Sequence, residues 1–247
     1  MDFLDQYFNR TEENQVIVSG EQGSDFAKQI ATDFNPIHDA DAKRFCVPGD
    51  LLFALALREY GLHKTMTFNF LDLVSADTPL SYPKQGYRTA SSGEVELQVV
   101  NNNDKPVLGV HYHGGSTNEA SQIEALLRNY VAFSGQNFPH ILVPLMKQHD
   151  VMINPKRPLV IYQSMSFEFS QIDFSELDIT LEETELKVNG KRGDAKLFFS
   201  IMSNGQDIGS GIKTLVLSGL REYDEIGVQD MVTRYLDRKK TLMAKMG

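Results

Sequence analysis

The chain predicts an α+β fold built from two copies of one plan, in which helices come first and antiparallel strands follow. Three observations carry this reading. Apolar residues recur at helical spacing over 24–33 and 49–60, and again over 119–133. Period-two alternation follows in each half, where Met66, Phe68 and Phe70 are echoed by Met165, Phe167 and Phe169. Asn-rich turns then separate further alternating runs, at Asn101–Asp104 in the first half and Asn204-Gly205 in the second.

Taken in order, Gln15-Val16-Ile17-Val18 is a short strand candidate. Phe26, Ala27, Ile30 and Ala31 put one apolar face on the helix expected at 24–33. Val47-Pro48-Gly49-Asp50 opens the second helix, whose apolar run is Leu51 to Leu57. Strands are expected around Met66–Phe70, at Val95, Leu97 and Val99, and over Val107–His113. Between the first two, residues 75–92 hold Pro79, Pro83 and Gly86 among polar residues, a long connection that is either a lid or a mobile surface loop. In the second half, Ile123, Leu126, Leu127, Tyr130 and Val131 share a helix face, and Ile141 to Lys147 forms a further helical segment. Strands then run through Met165–Phe169, Leu181–Val188, 195–203 and 208–217, with hairpin turns at Asn189-Gly190 and Asn204-Gly205. Val228, Met231, Val232, Tyr235 and Leu236 predict a C-terminal helix packed on the body or against a second subunit. The units are therefore 1–117, 118–223 and the helix 224–247, with a homodimer as a further expectation.

Composition bounds the function. Of 247 residues, 41% are hydrophobic and 23% charged, an ordinary globular balance. The net charge of −9 argues against nucleic acid as a partner, which needs a basic surface. The longest basic run, Arg238-Lys239-Lys240, suits a helix end. No apolar run reaches the eighteen or so residues that a membrane span needs, and the acidic start Met1-Asp2-Phe3-Leu4-Asp5 lacks a signal-peptide core. A single cysteine, Cys46, fits a reducing cytoplasm and reads as packing rather than as a nucleophile.

The chemistry concentrates in Asp33-Phe34-Asn35-Pro36-Ile37-His38. A carboxylate and an imidazole stand five residues apart around an Asn-Pro turn. Such a pair can take and return a proton at neutral pH. Gly49 follows at a helix start, where free backbone N–H groups and the helix dipole favour negative charge. The bland alternative is a helix C-terminal turn, which Asn, Asp and Pro also suit.

The segment resembles the signature of the MaoC-like dehydratases, the (R)-specific enoyl-thioester hydratases of the hot-dog fold, roughly Gly-Asp-x-Asn-Pro-x-His. Asp33, Asn35, Pro36 and His38 match position for position, and Gly49 falls at the family's helix-start glycine. The departures are Thr32 in place of glycine and Pro48 in place of a histidine before the helix start. The resemblance implies a double hot-dog chain, each unit a helix wrapped by a curved antiparallel sheet. It also implies that 49–60 is the central helix of the first unit. The pocket would lie between the units, with the acyl chain running along that helix.

By the same resemblance Asp33 and His38 are catalytic acid and base and Gly49 is the donor to the thioester oxygen. Asn35, Pro48 and Asp50 would line the substrate site. The substrate would be a 2-enoyl thioester of coenzyme A or acyl carrier protein. The net negative charge disfavours the acidic carrier protein unless a local basic patch exists, which Lys43 and Arg44 could supply. No cofactor and no metal are implied. Two other functions stay open, a hot-dog thioesterase using Asp33 on water and a non-catalytic acyl-thioester-binding protein.

The second half repeats the turn without the chemistry. With prolines aligned, Gly135 to Ile141 lies over Thr32 to His38, so that Asp33 becomes Gln136, Asn35 becomes Phe138 and His38 becomes Ile141. Val143-Pro144 echoes Val47-Pro48. His111 and His113 share a strand face without a third ligand at suggestive spacing. His63, His140 and His149 have no companion pattern. Gly205 to Gly211 lacks the strand-to-helix setting of a phosphate loop, and no Gly-x-Ser-x-Gly is present.

Overall fold

A computed structural model describes residues 2–89 and 93–246. The chain starts with a 3-10 turn over Asp2–Tyr7 and two short paired strands, β1 (Asn9–Arg10) and β2 (Val16–Ile17). Helix α1 (Gly20–Asp25) follows, fixed at its start by a reciprocal box between Ser19 and Gln22 that satisfies two backbone donors. It runs directly into one π turn, Phe26–Ile30. The helix expected at 24–33 thus begins and ends earlier, because the cap at Ser19 sets its start and an unwound turn sets its finish.

Helix α2 spans Gly49–Tyr60. It is apolar on every side, and a helix of that kind must be enclosed. Every residue from Asp50 to Leu57 is buried. Phe53 stands at the centre, 4.9 Å from the Phe68 ring, 5.2 Å from Tyr130 and 5.5 Å from Phe167. Burying each such large side chain is worth about 1.5–3 kcal/mol. The helix stops at Gly61, whose φ of +76° and contact with Asn118 Oδ1 exclude a side chain.

The sheet wraps α2. After β3 (Leu62–Phe70) come β4 (Leu80–Ser81), β5 (Tyr87–Arg88), β6 (Val95–Asn101) and β7 (Pro106–Thr117). The second half opens with α3 (Ala120–Gly135), the short α4 (Asn137–His140) and α5 (Leu142–Gln148). Strands β8 (Val151–Met152), β9 (Leu159–Phe169), β10 (Asp178–Asn189), β11 (Arg192–Ser203), β12 (Gln206–Ser218) and β13 (Arg221–Glu222) follow, and α6 (Glu225–Met246) ends the described chain.

Ten strands of the main sheet lie in the order β1-β2-β4-β6-β7-β3-β9-β12-β11-β10, with β5 added on β6. The middle of that order is a two-fold arrangement. β3 pairs antiparallel with β9, and outward from that seam β7 and β12, then β6 and β11, occupy matching places. The seam is made by the repeated Met-x-Phe-x-Phe: Met66 faces Phe167, Thr67 faces Ser166 and Phe68 faces Met165. At the β11–β12 turn, Asn204 and Gly205 have φ of +50° and +74°, the twist that a two-residue hairpin needs. Two sheets joined edge to edge remove one exposed edge from each. The architecture is α+β, a double hot-dog.

The apolar interior falls into two clusters. The larger holds α2, α3 and the seam strands; the smaller lies under α5 and α6, with Leu142, Leu145, Leu197, Leu215, Leu217 and Met231. No helix among the described residues is long and apolar enough to cross a membrane.

Candidate active site

The Asp/His turn owes its shape to the unwinding of α1. Ala31 N–H reaches Phe26 O at 3.1 Å and Asp33 N–H reaches Ala27 O at 2.8 Å. Between them Thr32 takes a φ of +52°. For an L-residue that left-handed conformation costs about 1–2 kcal/mol, and a β-branched one is the more crowded. The turn is thus left-handed at position 32 and is made with threonine, whose Oγ1 is buried without a partner.

From there the side chains fold back on one another. Asp33 Oδ1 accepts from Asn35 N–H at 2.9 Å, and Asn35 Oδ1 accepts from Ile37 N–H at 3.1 Å. Asn35 thereby caps the 3-10 turn Pro36–His38, so its amide oxygen serves the turn itself. The turn returns His38 beside Asp33, with Nε2 3.6 Å from Oδ2. His38 Nδ1 is 2.7 Å from Cys46 O. A carbonyl only accepts, so Nδ1 carries the hydrogen and Nε2 is the ring nitrogen turned toward Asp33. Cys46 itself is packed; burial pushes its thiol up to about 11, which leaves it an unreactive neutral group.

These groups line a cavity of about 430 Å³ between the two halves. Asp33, Asn35, His38, Pro48, Gly49 and Asp50 all contribute to its wall, so the sequence-predicted residues are brought together. Gly49 sits at the first position of α2, where backbone N–H groups have no partner inside the helix. A Cβ there would come within 3.1 Å of Tyr162 Cδ2 and 3.2 Å of Phe70 Cε1.

The structure departs from expectation in four places. The apolar arm of the cavity does not follow α2, which is packed on all sides. It leads to Leu142, Ile153, Leu215 and Met231 of the second half and α6. Asp50 is 3% exposed, and its Oδ2 is occupied by Ser134 rather than free for a ligand. None of the described residues of the 75–92 connection borders the cavity, and its residues 90–92 lie outside the described residues. Lys43 and Arg44 are exposed and not in the cavity wall, where the basic side chains are Arg234 and Arg238.

The element that covers the site is α6. It packs on the body through Val228 and Met231 and borders the cavity with Met231, Arg234, Tyr235 and Arg238. Arg238 grips the Asp/His turn on both sides: Nε donates to Phe34 O at 3.0 Å, and Nη2 donates to the Asp39 carboxylate, which Lys28 also meets at 3.0 Å. Tyr235 packs edge-on against Phe138 at 5.2 Å, and burial pushes its hydroxyl up to about 12.

A second polar cluster lies behind Gly49. Lys213 Nζ donates to Ser134 Oγ at 2.6 Å, and Ser134 Oγ donates to Asp50 Oδ2 at 2.6 Å. Tyr162 OH is 2.8 Å from Ser134 Oγ. Burial pushes Lys213 down to about 8, against the pull of Asp50 and then Asp33. Burial pushes the Asp50 carboxyl up, against Lys213 and the Ser134 hydrogen bond. Sequence reasoning missed Lys213, Ser134 and Tyr162. The signal for Lys213 was present, since it falls in phase with the buried positions 211, 215 and 217 of β12.

The second half's turn faces the same space. Gly135 rests against the Thr32 turn, where its Cβ would lie 1.7 Å from Ala31 O and 3.2 Å from Asp33 N. Gln136, aligned with Asp33, is exposed, and Phe138, aligned with Asn35, is in the cavity wall. His111 Nδ1 lies 3.6 Å from Glu94 Oε1, and no group of His, Cys, Asp and Glu able to hold a metal occurs among the described residues.

Solved structures of similar shape include a tesB protein of Mycobacterium avium subsp. paratuberculosis, at TM-score 0.45 and 9% identity over 87% of this chain and 98% of that one. A double-hotdog protein of Mycobacterium tuberculosis reaches TM-score 0.46 at 6% identity, over 81% and 93%. A MaoC-like dehydratase reaches 0.42 at 11%, over 86% and 98%. No curated protein gives a significant match. One family model spans nearly the whole body, residues 2–226, and leaves out only most of α6. By that match the chain belongs to the family described as "Protein of unknown function (DUF3581)".

Proposed function

We propose that this protein is a hydratase or dehydratase that adds water to, or removes it from, a 2-enoyl thioester. The observation that carries the reading is the approach of Asp33 Oδ2 and His38 Nε2 to 3.6 Å at the wall of a cavity that the start of α2 also borders. A water held between the two groups would give one proton to the pair as its oxygen attacks C3. The pair would return a proton to C2, so that the elements of water are conserved. Negative charge would gather meanwhile on the thioester oxygen, and the N–H of Gly49, at the first position of α2 and backed by its dipole, would be the donor to it. General acid–base help of this kind is worth about 10²–10⁴ in rate.

The carrier, coenzyme A or acyl carrier protein, belongs to the proposal as an acyl-thioester partner. A thioesterase would need only a carboxylate and a water aimed at the carbonyl carbon; the imidazole beside Asp33, with its tautomer held by Cys46 O, favours the two-proton task of hydration. The test is incubation of the full chain with crotonyl-CoA, following loss of the enoyl absorbance and release of free thiol together. Hydration predicts the first without the second. Thiol release at the same rate would replace the proposal with a thioesterase, and binding without either change would replace it with a non-catalytic binder.

A further inference from the structure

The acid/base chemistry leaves a buried lysine unused. Lys213 has no exposed surface. An ammonium so enclosed is costly unless its charge and hydrogens are met. Here one hydrogen bond, one ring face and one carboxylate, from three other elements, surround it. Nζ donates to Ser134 Oγ at the end of α3, and it lies 3.6 Å from the centroid of the Tyr162 ring on β9. Ser134 passes the contact on to Asp50 Oδ2 at the start of α2. The Tyr162 ring is also the surface against which Gly49 rests.

Lys213 therefore bears on the first two residues of α2 by two routes, on Asp50 through Ser134 and on Gly49 through Tyr162. Asp50 Oδ1 is buried with no partner, so Oδ2 carries the anchorage of that side chain. The charges that face the ammonium are Asp50 and, farther off, Asp33; His38 acts on Asp50, and Tyr162 and Tyr130 are neutral hydroxyls.

We propose that Lys213 is a positioning residue, which through Ser134, Asp50 and Tyr162 locks the start of α2 and so holds Gly49 in place at the cavity wall. What the Gly49 N–H does there rests on the function proposed above; the lock itself is readable without turnover.

The test compares full-length wild type with Lys213→Met, Tyr162→Phe and the double variant Lys213→Met/Asp50→Asn, which removes both buried charges and is the variant expected to keep its fold. Backbone hydrogen exchange is measured over 46–53 and, as a reference, over 178–203, alongside kcat and KM for crotonyl-CoA. In the folded double variant, exchange over 46–53 is expected to rise about tenfold with 178–203 unchanged. Its kcat is expected to fall about 100-fold with KM altered less than about threefold, the mark of a misaimed group rather than lost binding. Tyr162→Phe, which keeps the ring on Gly49, is expected to show the same pattern at smaller size. Unchanged exchange over 46–53 in the folded double variant would overturn the proposal. An acyl adduct on Ser134 in wild type, seen by mass spectrometry, would also overturn it, by making that hydroxyl a nucleophile. If wild type fails to hydrate crotonyl-CoA, the function proposed above falls, while the exchange result still decides whether Lys213 sets the helix start.

Discussion

The turn at Asp33–His38 and the turn at Gln136–Ile141 approach one cavity from opposite halves of the chain, and they have been built for different work. The first holds a carboxylate against an imidazole and bends back on itself through Asn35. The second presents an exposed glutamine, a phenylalanine in the cavity wall and a glycine pressed onto the first turn. The helices differ to match. In the first half the long, enclosed helix follows the turn, so its N-terminus points at the site; in the second half the long helix α3 precedes the turn, and Ser134 near its C-terminus meets a lysine instead. Duplicated architecture thus leaves one half free to hold the Asp/His pair while the other supplies much of the apolar lining and a buried lysine.

The largest effects expected are those that erase this asymmetry. Asp33→Asn or His38→Ala should lower hydration of crotonyl-CoA by about 10²–10⁴. Gln136→Asn, at the aligned position, should leave it within about a factor of two, because an exposed side chain there touches none of the reacting groups. Steady-state kinetics on the three variants checks both statements.

The glycines sharpen the contrast next. Gly135→Ala puts a methyl against a backbone oxygen, so the Thr32 turn must move as a whole; a loss of about 3 kcal/mol or more in denaturant unfolding is expected. Gly49→Ala meets only the edges of Tyr162 and Phe70, which can give by a few tenths of an ångström, so a loss of about 1–2 kcal/mol is expected. Arg238→Gln, which frees the turn at Phe34 and Asp39, should lower kcat about tenfold with KM little changed.

Two smaller effects concern stability alone. Lys213 sits below the ordinary lysine range, at about 8. Below that pH both folded and unfolded chains hold its proton. From about pH 8 to 9.5 the unfolded chain holds more of it, so this group makes stability rise with pH, and Lys213→Met should flatten that rise in urea unfolding. Thr32→Gly should add about 0.5–1 kcal/mol, the left-handed strain relieved less the chain entropy that glycine loses.

Much of the fold was legible because its signals are local. The Met-x-Phe-x-Phe repeat foretold both seam strands, and Asn204-Gly205 foretold its hairpin. Gly49 and Leu51–Leu57 foretold α2 to the residue. The meeting of Asp33 with His38 was legible too, since both lie on one short turn. The rest depended on contacts distant in sequence. Lys213 and Asp50 are brought together only when β12 packs behind α2, and Arg238 reaches Phe34 from the far end of the chain. The direction of the cavity was not legible because only the first turn of α2 borders it; beyond Leu52 the helix is enclosed, and the apolar lining runs on to Leu142, Leu215 and Met231 of distant elements.

In the proposed reaction, water held by the first half's Asp/His pair reaches C3 of an enoyl thioester. Crotonyl-CoA turned over in ¹⁸O-labelled water, with products read by mass spectrometry, tests it at the atom concerned. Wild type is expected to carry one label in the 3-hydroxyl of an intact thioester, and Asp33→Asn to form that product at least about a hundredfold more slowly. A label in a free carboxylate, or labelling at C3 as fast in Asp33→Asn as in wild type, would overturn the proposal.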